Sequence, residues 1–317
     1  MRGAPTVAEL PSDLLLQRMG GPGVALDLGA CTARFHSMHP PFAQAVRTLY
    51  GAFPIEADAG FADVTVSLRP RRALFGPGWA QIYIDGESPF QILPLPMHLP
   101  LVEWALNWTI AHRLHAWLVL HAGVVARGDR AMLMPAFSGI GKSTLTAALM
   151  CHGYRLLSDE FCALDPVGGS VMPVLRPVCL KNDAIDRIAE RWPERPIGPR
   201  TEGTHKGTVA HLAPTPASVA ARKRSARPEF VVFPRWEAGV TAVLEPIAAT
   251  AAFVKLSGNA FNYALLGEAG FVALTNLLAQ CRVYELRYSS FDEAFERIDT
   301  LFAESESVAL PVEAARR

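Results

Sequence analysis

Several things this 317-residue chain lacks narrow its possible roles. It has no charge excess: Lys plus Arg and Asp plus Glu number 30 each, so no whole-molecule field draws it to nucleic acid or to an anionic membrane. Partners have to be sought in local sites. It has no paired-cysteine motif either. Its five cysteines, Cys31, Cys151, Cys162, Cys179 and Cys281, are odd in number and widely spaced without a C-x-x-C, which points to neither a disulfide framework nor a zinc site. Long hydrophobic runs are missing, because the most apolar region, residues 101–125, is broken by Glu103, His112, Arg113 and His115. The start of the chain has no continuous apolar segment of the secretory kind, and a cytoplasmic location is expected. There is no internal repeat. Lysine is scarce: of 30 basic residues only Lys142, Lys181, Lys206, Lys223 and Lys255 are lysines, so arginine is the default cation. The run Arg222-Lys-Arg-Ser-Ala-Arg227 has no interleaved aromatics and reads as a loop rather than a nucleic-acid site.

What is present is globular in character, with 50% apolar and 19% charged residues and enough length for one large domain or two ordinary ones. The chain is organised around residues 132–149. There an apolar run ends in a loop with Gly139 and Gly141, followed by Lys142, Ser143, Thr144 and an apolar-periodic helix. Backbone N–H groups freed by glycine and converging at a helix N-terminus form a phosphate cradle. On this reading Ser138, Gly139, Ile140, Gly141, Lys142, Ser143 and Thr144 bind the nucleotide, Lys142 faces the β/γ-phosphates and the Ser143 hydroxyl ligates Mg²⁺. Where G-x-x-x-x-G-K-[ST] asks for its first glycine, the chain has Ala136. As a loop lysine, Lys142 is expected to contribute little to a core.

Residues 1–98 read as a strand-rich α+β region, with short runs at 24–28, 33–36, 64–68, 81–84 and 90–93 and one helix near 41–50. Gly20, Gly21 and Gly23 precede a strand and so mark a turn. Residues 99–317 form the second region, opened by an amphipathic helix over 99–114. The run 117–125, with His121, forms a hairpin with the run into the loop, turning at Gly128-Asp129. The helix from Lys142 should stop near His152-Gly153. The strand 154–157 then returns parallel to the strand before the loop and delivers Asp159 and Glu160 to the phosphate edge of the sheet, where acidic residues hold Mg²⁺ or accept a proton. Beyond it, 172–182 reads as one strand-like run, 183–191 as a helix, 200–212 as a loop presenting His205 and Lys206, 230–233 as a strand, and 262–278 and 292–302 as helices. Lys181 and Lys206 place a compact ammonium in an arginine-rich chain, a feature suited to phosphate.

His121, Ser138-Gly-Ile-Gly-Lys-Ser-Thr144 and Gly153-Tyr-Arg-Leu-Leu-Ser-Asp-Glu160 together resemble the catalytic domain of HPr kinase/phosphorylase. The chain is more similar still to the HprK-related kinase A family, over almost its whole length. The matching segments are Leu26-Asp-Leu-Gly29, Leu101-Val-Glu-Trp-Ala-Leu-Asn-Trp108, the loop with Ala136, Arg176-Pro-Val-Cys-Leu-Lys-Asn182, Lys206-Gly-Thr-Val-Ala-His-Leu212, Phe233-Pro-Arg235 and Asn259-Ala-Phe-Asn-Tyr-Ala-Leu-Leu-Gly-Glu-Ala-Gly270. The resemblance implies an α/β fold with the P-loop nucleotide-binding core of the HPr kinase and phosphoenolpyruvate carboxykinase type, and transfer of phosphate from ATP to a hydroxyl. It implies Asp159 as base, Lys142 and His121 beside the reacting phosphate, and Ser143, Asp159 and Glu160 as the Mg²⁺ ligands, with Glu160 standing where the relatives have a second aspartate. The later signature of HPr kinase is not found here, so HPr as acceptor and the reverse phosphorolysis are not carried over. Such relatives accompany a small PqqD-like peptide chaperone, which implies a peptide acceptor in natural-product maturation. Lys181, Asn182, His205 and Lys206 are the substrate-side candidates, and homo-oligomerisation is left open. The alternative is a nucleotide-responsive module that docks a partner with little or no kinase activity.

Overall fold

A computed structural model describes residues 4–55, 61–135 and 141–313, with side chains as far as residue 305. The first region is a five-stranded mixed sheet in the order β1 (Val24–Asp27), β2 (Thr32–Ser37), β3 (Val64–Arg71), β4 (Trp79–Ile84) and β5 (Leu93–Pro94). β2 and β3 pair in parallel and the rest antiparallel. The alternation of Val64, Val66 and Leu68 with more exposed neighbours leaves one face of β3 apolar. Helices α1 (Ser12–Gly20), α2 (Pro40–Leu49) and α3 (His98–Arg113) cover this sheet, with α3 lying on β3 and β4. The run expected at 90–93 shortens to the two residues of β5.

The second sheet has eight strands, ordered β10-β9-β6-β7-β14-β16-β15, with β8 also on β6. Here β6 is Leu118–Arg127, β7 Arg130–Pro135, β8 Arg155–Ser158, β9 Phe161–Leu164, β10 Val171–Met172, β14 Arg227–Trp236, β15 Val243–Pro246 and β16 Arg282–Tyr288. β6 and β7 form the expected hairpin, with Arg127 opposite Arg130 and Gly128 at a φ of 64°. β14 is parallel to β7 and β16 parallel to β14. Both β7 and β8 run antiparallel to β6, so the strand after α4 (Lys142–Cys151) is parallel to the strand before it. β8 and β9 together form one line along β6, broken only at Asp159-Glu160.

A third sheet, β11 (Val178–Lys181), β13 (Gly207–Leu212) and β12 (Thr201–Thr204), lies against α4 and is followed in sequence from β11 by α5 (Asp183–Arg191). Two expectations are corrected in this part. The run 172–182 is divided, because Pro173 and Pro177 each remove a backbone donor, leaving β10 and β11 separate. The 200–212 loop is a hairpin, with Gly203 and Gly207 at positive φ around its tip. After β13 come α6 (Pro216–Ala220), α7 (Ala249–Ser257), α8 (Tyr263–Leu266), α9 (Glu268–Gln280) and α10 (Phe291–Glu313). The single helix expected over 262–278 is two, divided at Gly267 with a φ of 55°.

One apolar core runs through both regions, from Phe35, Tyr50 and Leu106 to Leu145, Leu180 and Phe302. Gly29 shows how closely they join: a Cβ there would sit 2.3 Å from the Pro173 carbonyl oxygen and 2.7 Å from that of Arg222. Without a side chain, the β1–β2 turn can exchange backbone hydrogen bonds with the segment before β11, Ala30 to Pro173 at 2.8 Å and Leu175 to Leu28 at 2.7 Å. The molecule is thus a mixed α/β protein. None of its described helices is long and apolar enough to cross a membrane.

Candidate active site

The first residue of α4 is Lys142, preceded by Gly141 at a φ of 94°, a left-handed conformation that favours glycine. α4 can lie close on β6 because Gly123 carries no side chain; a Cβ there would be 2.2 Å from the Thr146 hydroxyl. Lys142, expected as a loop lysine that contributes little to a core, is instead a buried residue of the helix. It is 6% exposed. Its ammonium donates to the Asp159 carbonyl and lies 3.7 Å from Asp159 Oδ1 and 3.9 Å from Glu160 Oε2. A cation in that position holds together two carboxylates that would repel each other if left alone.

The two carboxylates answer differently. Burial drives Asp159, 4% exposed, above the usual aspartate range; Lys142 opposes the rise and the neighbouring Glu160 adds to it. Its Oδ2 accepts from the Cys179 amide at 3.3 Å and the Ser143 hydroxyl is bonded to the carboxylate, while Oδ1 is buried with no hydrogen-bond partner. Burial pushes Glu160 up as well, but Lys142, the His121 hydrogen bond and charge, and Arg176 together outweigh it and hold this carboxyl well below its usual range. His121 Nε2 and Glu160 Oε2 are 3.0 Å apart. Of the residues picked from the sequence, Lys142, Ser143, Asp159, Glu160 and His121 are therefore brought into one cluster.

His121 sits where β7 has left the sheet. Along that half of β6 the place of β7 is taken by Asn259-Ala-Phe-Asn262: His121 N–H donates to the Asn259 carbonyl at 2.9 Å, the Asn259 amide returns to the His121 carbonyl at 3.0 Å, and Asn262 bonds the backbone of Val119 and Trp117. The Phe261 ring lies 5.8 Å from His121 and 5.2 Å from Phe161.

The remaining expected residues fall into two further groups. Gly141, Thr144, Lys181 and Asn182 line one cavity beside α4. His205 and Lys206, at the tip of the β12–β13 hairpin, pack on Trp104 of α3, with ring centroids 4.6 Å apart and the ammonium 5.8 Å from the indole centroid. Ser138, Gly139 and Ile140, with Ala136, lie outside the described residues.

Three features were missed in the sequence. Arg176, buried, bonds Glu103 Oε2 at 3.3 Å and Asn107, and Tyr50 donates to Glu103 Oε1 at 2.8 Å, so a guanidinium from the segment before β11 is anchored on α3. His211 of β13 stands opposite Cys179 of β11 and is 2% exposed with Nδ1 unpartnered. Burial first, then Arg176 and Lys206, push it down to about 3 against the pull of Glu160, so it is neutral at ordinary pH. Trp236, Tyr288 and Phe291 line the cavity. Arg176 and His211 fall inside segments that carry the family resemblance, but nothing local marks the role of any of these groups, because each becomes meaningful only through a neighbour far along the chain.

The class defined by this geometry is a mixed α/β protein with a buried lysine–carboxylate cluster at a helix N-terminus. No family model matches the chain, and no curated protein matches it.

Proposed function

We propose that the protein is an ATP- and Mg²⁺-dependent kinase with a P-loop nucleotide-binding core, transferring the γ-phosphate to a hydroxyl of a peptide, protein serine or small molecule. The observation that carries this reading is the convergence of Lys142, at the start of α4, with Asp159 and Glu160 at the break between β8 and β9. A helix N-terminus with a lysine attracts a triphosphate. A carboxylate raised by burial and holding one free oxygen is a suitable proton acceptor for an attacking hydroxyl. Asp159 takes the proton at Oδ1. His121 and Glu160, paired at 3.0 Å, hold each other in place beside the transferred group.

Among the described residues no group of three or more His, Cys, Asp and Glu is arranged to hold a metal unaided. Mg²⁺ beside a triphosphate keeps waters and takes phosphate oxygens together with one or two protein oxygens. The Ser143 hydroxyl and the Asp159 and Glu160 carboxylates would supply those oxygens. When bound, the ion would neutralise charge on the phosphates. The β12–β13 hairpin, carrying His205 and Lys206, is the acceptor side of this reading, with a PqqD-like peptide chaperone as the partner that would present a peptide there.

The test is acceptor-dependent ADP release by wild type and Asp159→Asn, with ATP titrated against each. Asparagine keeps the shape but takes no proton, so transfer should fall by about 10²–10⁴-fold while ATP binding falls far less. Turnover retained within about threefold removes Asp159 as the base, since general-base catalysis is worth far more than that. A wild type that binds ATP but releases no ADP with any acceptor supports the docking module instead.

A further inference from the structure

A cavity of about 660 Å³ opens on the β14 side of α4, between α5 and the C-terminal ends of β14 and β16. β14 and β16 lie across β7 from the strands that carry the carboxylates. The cavity reaches the triphosphate end of the helix: Gly141 and Thr144 line it, and a Cβ on Gly141 would come 3.3 Å from both Trp236 Cβ and the Tyr288 hydroxyl. Its volume falls in the range of small-molecule sites, about 300–1,000 Å³.

The wall chemistry selects the occupant. Trp236, at the end of β14, is 42% exposed, with its ring fixed by an indole N–H bond of 3.3 Å to the Ser289 carbonyl and the Arg187 guanidinium over the ring, 5.3 Å from its centroid. A fixed, half-open indole paired with a guanidinium plane offers stacking surface to a flat heteroaromatic ring. The charged lining is mixed. Lys181 and Arg187 share the lining with Asp183 and Glu190, and Arg191 is taken up by Asp292. Such a wall has no net field for a second polyanion, but it suits an uncharged group with hydrogen-bonding edges. The phosphate-binding end and the stacking platform meet at Gly141.

We infer that this cavity holds the nucleoside of the phosphate donor, its base stacked on Trp236. The donor is thereby a nucleoside triphosphate rather than an inorganic polyphosphate. This inference rests on reading the α4 N-terminus as the triphosphate site.

The experiment is calorimetric titration of the full chain with Mg²⁺, using ATP and inorganic tripolyphosphate as the two probes. Wild type should bind ATP at least about tenfold tighter, and Trp236→Ala should weaken ATP by about fivefold to a hundredfold, the span of one base–aromatic stack, with tripolyphosphate changed by less than about twofold. Arg187→Ala, on an exposed position of α5, should move ATP in the same direction by less, and Trp236→Phe should retain more affinity than the alanine variant. Equal wild-type affinity for the two probes, or unaltered ATP affinity in folded Trp236→Ala and Arg187→Ala, overturns the inference and leaves the triphosphate site standing. Wild type that binds neither probe overturns both. ATP binding that depends on Trp236, without any acceptor turnover, sustains the inference and counts against the kinase.

Discussion

On the β8 side of α4, Lys142, Asp159, Glu160, Arg176 and His211 are packed together with little access to water; on the β14 side, Trp236, Arg187 and Tyr288 surround an open cavity. One helix serves both flanks. The carboxylate flank is held by long-range balance: Cys179 N–H on Asp159, His121 on Glu160, and Arg176 tied through Glu103 to Tyr50 in the first region. On the cavity flank the charged side chains, among them Asp183, Arg187 and Glu190, are exposed. In a dry cluster a single charge removed is felt by every other group, whereas on an open wall solvent compensates. On the proposed reading the carboxylate flank carries the chemistry and the cavity flank the recognition, and the difference sets the order in which substitutions should hurt.

The largest break after Asp159→Asn is expected from Lys142→Ala. It strips the cation from two buried carboxylates, and removing one partner of such a set costs about 3–5 kcal/mol of stability. Arg187→Ala on the other flank, where the side chain is exposed, should cost no more than about 0.5 kcal/mol. Urea unfolding of the two variants checks this contrast. Adding Asp159→Asn to Lys142→Ala should restore part of the loss, because one of the stranded charges is then gone. Wild-type stability in Lys142→Ala would mean the flank is not charge-balanced through this lysine.

That lysine marks how far the sequence could be read. The α/β class, the β6–β7 hairpin, α4, β8 and α5 followed from local periodicity and from Gly128, Gly153 and Pro193, all signals within a few residues. The position of Asp159 and Glu160 followed from the direction of one strand. The burial of Lys142 did not, because it depends on Asp159 and Glu160, at the break between β8 and β9, closing against its ammonium. β16 was missed although Val283, Leu286 and Tyr288 turn inward along it, since its two parallel or antiparallel partners, β14 and β15, are both non-adjacent elements. α1 and α7 are short and weakly patterned, and nothing local distinguishes them from loop. Arg176, His211 and Trp236 had no legible role, because each gains its chemistry from a residue tens of positions away.

His211 allows the balance on the carboxylate flank to be titrated. Its folded pKa of about 3 lies below the ordinary 6.5, so between those values the unfolded chain binds a proton that the native chain does not. Stability therefore rises with pH across that window and is lost on acidification below 6.5. From pH 6.5 to pH 5 the loss from this one group amounts to about 2 kcal/mol. His211→Gln removes the group, so the slope of unfolding free energy against pH should be shallower in this variant by that amount, with no difference between the two proteins above pH 7. Parallel curves for wild type and variant would show that His211 binds its proton equally in the native and unfolded states, so that burial does not shift it.

A stability effect far below that of Lys142→Ala is expected at the hairpin tip, away from both flanks. Lys206 is half-buried, 5.8 Å from the Trp104 centroid, beside the exposed His205, and its backbone is already secured by the Thr204 hydroxyl at 3.0 Å. The ammonium contributes about 0.5–1 kcal/mol through the ring face, so Lys206→Ala should shift the denaturation midpoint only slightly. Its effect on turnover should be of another kind. The tip projects from the sheet that carries Cys179 and His211, and the Lys206 charge is felt at both. If the hairpin is the acceptor side, the variant should need more acceptor for half-maximal ADP release while its ATP affinity stays unchanged, because the cavity at Gly141 and Trp236 does not include it. Equal activity of variant and wild type at limiting acceptor would remove Lys206 from the acceptor side, and a fall in ATP affinity would place it on the donor side, contrary to the division of the two flanks.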